Sequence, residues 1–332
     1  MRIGALIVFL AGLALAETPY ALTSWQGALW LGGEDAGRPY IKRYGAAQPA
    51  WRGEAPGRVL ALAPGYAAGS LAEDAALFVL DAKGQPIRSI TAGGKLKEEA
   101  KALALFGGRV YLAGDAEGGF FGKNQGGQDV FIAWVEGDEL VGTLLGTSDD
   151  DYLTALAAGE DGLFLAGYHQ VNEDCIRVAE RGFVFKLDGA GKVQPVFWFG
   201  YEASSRPTAL LYREGALWVA GQTDGPLFGE HRGGDDVFVL KLSPSGEVLY
   251  ATQWGSELSD LVSKLVAHEG RLYLVGSVAK GGYRPFVARL DEKGRPVAKV
   301  TLPQRGVVKD AAVFAGKLYL LTTTGVYPAP WP

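Results

Sequence analysis

Cysteine, methionine and histidine are almost missing from this sequence: one Cys, one Met and three His stand among 332 residues. The lone thiol, Cys175, excludes an internal disulfide, so the core has to hold the chain together unaided. Cys175 itself reads as an inert residue. Clusters of Lys and Arg are absent, and the net charge of −5 argues against a nucleic-acid partner, which would need a basic stripe for the phosphates. No H-E-x-x-H, C-x-x-C, G-x-S-x-G or P-loop pattern occurs, and the Gly-Gly pairs precede strands rather than helices. Helix-period segments are also lacking; Lys95 to Lys101 is the best and amounts to one or two turns.

One long apolar run exists, and it is N-terminal. Arg2 precedes the stretch Ile3 to Leu15, and Ala14-Leu15-Ala16 forms an A-x-A-like cleavage site before Glu17. The run is short for a membrane span. Residues 1–16 are therefore expected to be a signal peptide, with residues 17–332 a single exported domain in the periplasm, on the cell surface or secreted. No second such run follows, so the mature chain is not expected to span a membrane.

What is abundant is glycine, 48 residues, placed at the ends of short apolar strands. Leu29-Trp30-Leu31-Gly32, Tyr66-Ala67-Ala68-Gly69 and Tyr111-Leu112-Ala113-Gly114 open a series. Phe164-Leu165-Ala166-Gly167, Trp218-Val219-Ala220-Gly221 and Tyr273-Leu274-Val275-Gly276 continue it, and Tyr319-Leu320-Leu321-Thr322 closes it. A repeat of this kind decides the fold before any other feature. A strand and a tight turn precede each copy; a third strand ends in Leu-[Asp/Ser]-x-x-Gly at Leu80, Leu187, Leu242 and Leu290. The fourth ends in Leu145-Gly146, Phe199-Gly200 or Trp254-Gly255. Segments such as Val237 to Leu242 are apolar on both faces, as in sheets stacked on both sides. The expected fold is an all-β propeller of about seven four-stranded blades, the last one incomplete because few residues follow Thr322. Ring closure is expected to be imperfect, or helped by the segment Glu17 to Tyr20.

An eleven-residue pattern occurs twice, as Phe121-Gly122-x-x-x-Gly126-Gly127-x-Asp129-Val130-Phe131 and Phe228-Gly229-x-x-x-Gly233-Gly234-x-Asp236-Val237-Phe238. With Trp254-Gly255, Asp260 and Tyr273 to Gly276, it resembles the SBBP repeat family of bacterial seven-bladed β-propellers over residues 116–280. The resemblance implies a propeller in exported or surface proteins, without an assigned catalytic activity.

The aspartates are read first as turn anchors: Asp129 and Asp236 at the start of strand three, Asp151 and Asp260 before strand one. The competing reading is calcium, for which Asp149, Asp150 and Asp151 are the candidate ligands, although calcium loops alternate their ligands. No other cofactor is indicated. Of the histidines, His268 reads as an exposed turn residue. The 2–3 and 4–1 loops share one face and carry all the long insertions, at residues 115–129, 168–182 and 222–236 and at 146–151, 200–207 and 255–260. Candidate binding residues there are Phe120, Phe121, Lys123, His169, Glu173, Asp174, Arg177, Phe228, His231, Arg232 and Glu257. The phenylalanines read as plugs between blades ahead of contacts for a ligand. Trp331 is expected to pack the C-terminus onto the first blade. The favoured function is a non-catalytic module binding protein or glycan through the long-loop face. The alternatives are a propeller-type enzyme, either a glycan-active hydrolase or a cofactor-dependent dehydrogenase, and a structural array protein.

Overall fold

The computed structural model describes residues 17–174, 177–188, 191–201 and 203–332, with backbone only for 172–174 and 177–178. Residues 1–16, expected to be a signal peptide, and Cys175 lie outside the described residues. Seven antiparallel sheets follow one another along the chain. Blade one holds β1 (Glu17–Trp25), β2 (Ala28–Asp35), β3 (Arg38–Arg43) and a two-residue β4 (Trp51–Arg52). Blade two holds β5 (Gly57–Ala63), β6 (Tyr66–Leu71), β7 (Asp74–Leu80) and β8 (Pro86–Ala92). Blade three is β9 (Glu98–Phe106), β10 (Arg109–Ala116), β11 (Asp129–Glu136) and β12 (Glu139–Leu145). Blade four is β13 (Asp150–Gly159), β14 (Gly162–Asp174), β15 (Arg177–Leu187) and β16 (Val193–Phe199). Blade five is β17 (Ser205–Arg213), β18 (Ala216–Thr223), β19 (Asp236–Leu242) and β20 (Val248–Trp254). Blade six is β21 (Asp260–His268), β22 (Arg271–Ala279), β23 (Tyr283–Leu290) and β24 (Pro296–Thr301). Blade seven has three strands, β25 (Val308–Phe314), β26 (Lys317–Thr322) and β27 (Gly325–Ala329), so the incomplete last blade is present as expected. No described residue is helical.

Packing follows from strands that are apolar on both faces. Seven buried clusters form, one at each blade interface. The seventh joins Leu22, Leu29, Leu31 and Tyr40 of blade one to Leu321 of blade seven and closes the ring. Glu17 to Tyr20 add no strand to blade seven; they belong to β1 and pair with β2. The segment still touches the neighbour, because Lys309 donates a hydrogen bond to the Pro19 carbonyl at 3.0 Å. Trp331 does not reach blade one. It stacks on His268 with ring centroids 4.4 Å apart and on Tyr273 at 4.6 Å, covering the seam between blades six and seven. His268 is accordingly half-buried beneath it rather than exposed.

The repeat glycine has a structural cause. Each inner strand carries a β-bulge, at Tyr20, Leu60, Lys101, Thr154, Thr208, Ser263 and Lys309. Across from it, at Gly69, Gly114, Gly167, Gly221 and Gly276, an added β-carbon would overlap the carbonyl oxygen of the inner strand. In blade one that position is Gly33, which opposes Pro19, and not Gly32, which opposes Ala21. The sequence repeat is thus shifted by one residue there.

Candidate functional site

An inner strand starts at the 4–1 loop, so its bulge lies toward the long-loop face. The seven bulged residues line a central cavity of about 340 Å³ together with the residues that follow them. None of the candidate binding residues named from the sequence lines this cavity.

Around its mouth runs an arc of charge and aromatic rings. Tyr20 donates to Glu34 at 3.4 Å, and Arg58 lies 3.8 Å from Glu34 and 3.1 Å from Glu99, which Lys97 also approaches at 3.2 Å. Lys101 pairs with the buried Asp115, whose other oxygen accepts the Leu153 N–H at 2.7 Å. In blade four Tyr152 and Tyr168 stack at 5.2 Å and 24°. The Arg206 guanidinium sits 4.7 Å over the Tyr168 ring and binds both oxygens of Glu180, one of them at 2.9 Å. Burial, the largest cause, pushes the Tyr168 hydroxyl up to about 12, so the ring is a neutral donor at ordinary pH. The arc holds four acids and four bases, so their formal charges cancel.

The sequence reading missed this arc, yet a signal for it exists. A polar or aromatic residue follows each repeat glycine: Glu34, Ser70, Asp115, Tyr168, Gln222 and Ser277. Several of these side chains accept an N–H of the next blade. Ser277 takes Val308 at 2.8 Å and Gln222 takes Val262 at 3.3 Å, as Asp115 does for Leu153.

The long loops are held by carboxylates. Asp129 accepts the N–H groups of Gln125 at 2.8 Å and Gly126 at 3.2 Å; Asp236 accepts Arg232 N–H at 2.9 Å and the Gln253 amide at 3.2 Å. Asp151 takes the N–H and hydroxyl of Thr147 at 2.7 and 2.9 Å, and Asp260 those of Ser256 at 2.7 and 2.6 Å. The donor is four residues upstream of the acid in four of these cases. Asp150 accepts the Gln128 N–H at 3.0 Å. Among the described residues no group of three His, Cys, Asp or Glu is placed to hold a metal ion, Asp149, Asp150 and Asp151 included.

The insertion of blade four is not an open loop. Residues 168–174 and 177–182 continue the ladder, with His169 opposite Arg181, Gln170 opposite Glu180 and Asp174 opposite Arg177. The hairpin passes the point where the ladders of blades three and five end by five residues, or about 16 Å at 3.3 Å per residue. Backbone pairing replaces the solvation that a loop would need. Glu180 N–H donates to Ser204 at 3.1 Å and Arg181 lies 5.1 Å over Tyr201, so the arm leans on blade five. Glu173, Asp174 and Arg177 occupy its tip strands, and their side chains lie outside the described residues. His169 packs on Trp198 at 5.2 Å, with both ring nitrogens buried and unbonded; burial, the largest cause, lowers its pKa.

Phe120 and Phe121 stack at 3.9 Å and pack against the core between blades two and three. Phe228 caps the core between blades four and five. All three are half-buried. Lys123 and Glu257 are exposed, Arg232 lies 3.5 Å from Glu230, and His231 is half-buried.

No family model matches the chain, and no curated protein matches it. Solved structures do. The WD40 domain of Neurospora crassa Pan2 aligns over 96% of this chain and 91% of its own at 13% identity, with a TM-score of 0.56. Sqt1 from Chaetomium thermophilum aligns over 96% and 97% at 14% identity, TM-score 0.53. The tricorn protease aligns over 94% of this chain at 10% identity and a TM-score of 0.56, and the chain spans 33% of that protein's length. Identities this low speak for the propeller fold alone.

Proposed function

We propose that this chain is an exported, non-catalytic propeller of the SBBP-repeat kind that binds a protein or glycan through its long-loop face. The observation that carries the reading is the uncharged arc at the channel mouth, set beside three insertions held by buried carboxylates and backbone pairing. Rigid loops lose little entropy on binding. Stacked tyrosines offer an apolar face with a hydroxyl at the edge, which suits sugar rings and polar protein surfaces. The balanced charge disfavours a strongly charged partner. A propeller fold is the architecture of many binding modules, and the WD40 likeness is compatible with this use.

The test has two arms. A glycan array is probed with the wild type and with Tyr168→Ala, and hydrogen exchange maps the contact made by any ligand found. Protection is expected around Tyr152, Tyr168 and residues 115–129, 168–182 and 222–236, with binding weakened at least tenfold by the substitution. Trimming residues 172–178 to a tight turn, which keeps Glu180 on Arg206, should impair binding and leave the melting transition within a few degrees of wild type. Protection confined to the short turns near Gly107, Gly162, Gly215 and Gly270 would overturn the face assignment.

A further inference from the structure

Three ammonium groups meet two carboxylates in the central channel. Lys101 is committed to Asp115, and Lys264 to Asp310. The second oxygen of Asp310 is taken by the Leu22 N–H at 2.8 Å. Lys309 has only neutral contacts: the Pro19 carbonyl at 3.0 Å and the Tyr20 ring at 4.7 Å. Among the described residues no carboxylate lies within ion-pair distance of it. One positive charge is therefore left facing the cavity.

The other polar groups of the ring are already used. Thr154, Thr208 and Ser263 donate to the backbone carbonyls of Ala166, Val262 and Val308 at 2.9–3.0 Å. Beyond the bulges, the cavity wall turns apolar, with Leu62, Leu103, Leu156 and Leu265. A half-buried cation at a polar rim above hydrocarbon calls for an amphiphile with a single negative charge.

We propose that the channel binds a small amphiphilic carboxylate, its head group on Lys309 and its apolar body among the leucines of the inner strands. The volume, about 340 Å³, lies at the lower end of small-molecule sites, roughly 300–1,000 Å³. Burial lowers the Lys309 pKa, as expected of an ammonium short of a counter-ion, and a bound carboxylate supplies one. A monoanion matches the single surplus charge, whereas a phosphate dianion would leave a negative charge against apolar wall. The site lies inside the channel, below the mouth that carries the arc; octanoate probes the channel and the glycan array probes the mouth and loops, so either reading can fail without the other.

Isothermal titration of the full chain with octanoate and its neutral isostere octanamide tests the idea. Octanoate should bind one to one and at least about tenfold more tightly than octanamide. Lys309→Met should remove that preference and Lys309→Arg should keep most of it. A second measurement works on the wild type alone: octanoate should slow acylation of Lys309, read by peptide mass mapping, and leave the exposed Lys95 unaffected. Equal affinity for acid and amide, no binding of either, or unchanged acylation of Lys309 would overturn the proposal.

Discussion

Asp236 and Gly255 are coupled by space. The Asp236 carboxylate is fully buried, and a β-carbon at Gly255 would overlap it; Asp129 and Gly146 repeat the arrangement two blades earlier. This is why an aspartate opening strand three accompanies a glycine closing strand four in the sequence. Asp236→Ala should cost about 1–3 kcal/mol through the lost bonds to Arg232 and Gln253. Gly255→Ala should be costly alone, yet much less so in the Asp236→Ala background, where the carboxylate no longer fills the space. Urea unfolding of the two single variants and the double variant gives this coupling directly; additive costs would show that the two residues do not share that space. Asp151 adds a pH signature. Burial, the largest cause, raises its pKa from an ordinary 3.8 to about 6, against the bonds from Thr147. Between those values the folded chain holds the proton more tightly than the unfolded chain, so this group's stabilising contribution is full below pH 3.8 and lost as pH rises through about 6. The melting temperature of Asp151→Asn, followed from pH 4 to 7, should lack that component relative to wild type.

At the scale of the strand, the inner-strand bulge and the glycine facing it form one device. The glycine is pressed from two sides in blades four, five and six, by the inner-strand carbonyl and by the aromatic ring of strand three: Phe183, Phe238 or Phe286. Gly276→Ala should therefore cost about 1–3 kcal/mol or more from overpacking. Gly270→Ala, in a turn at φ +72° with open space around it, should cost about 1 kcal/mol from backbone strain alone. Calorimetric melts of both variants distinguish packing from conformation. The glycine periodicity is enough to count the blades, because it reports a contact made six times over, with Thr322 at the seventh position. The bulge left no mark of its own, since Tyr20, Leu60, Lys101 and Thr154 share no chemistry; the register slip at Gly32 and Gly33 follows from that. The blade-four hairpin was hidden for a different reason. Gln170, Asn172 and Asp174 are polar, so the segment resembles a solvated loop, and only its pairing with Arg177 to Glu180 shows a ladder. The mouth arc could be read only in part, because Arg58, Glu99 and Arg206 come from separate blades and meet through ring closure.

The ring as a whole depends on a seam that the sequence does not cover with a fourth strand. Blade seven has three strands, and its contact with blade one rests on the cluster around Leu22, Tyr40 and Leu321, on Asp310 and on the Lys309 bond to Pro19. Asp310 is the polar link across both sides of the last blade: it accepts the Leu22 N–H from blade one and pairs with Lys264 of blade six. Removing its side chain leaves a half-buried N–H and an ammonium unpaired at once, which mutational experience puts at about 1–3 kcal/mol for each lost partner. If stability were spread evenly around the ring, the effect would appear in all blades alike. Instead, the missing strand makes this seam the place where opening should begin, in line with sub-global unfolding of the least secured unit. In Asp310→Ala, native-state hydrogen exchange should quicken in β1, β25 and β26 while β10, β18 and β22 keep their wild-type protection. Uniform acceleration through all seven blades would mean that the ring opens only as a single cooperative unit, with no weak seam at its closure.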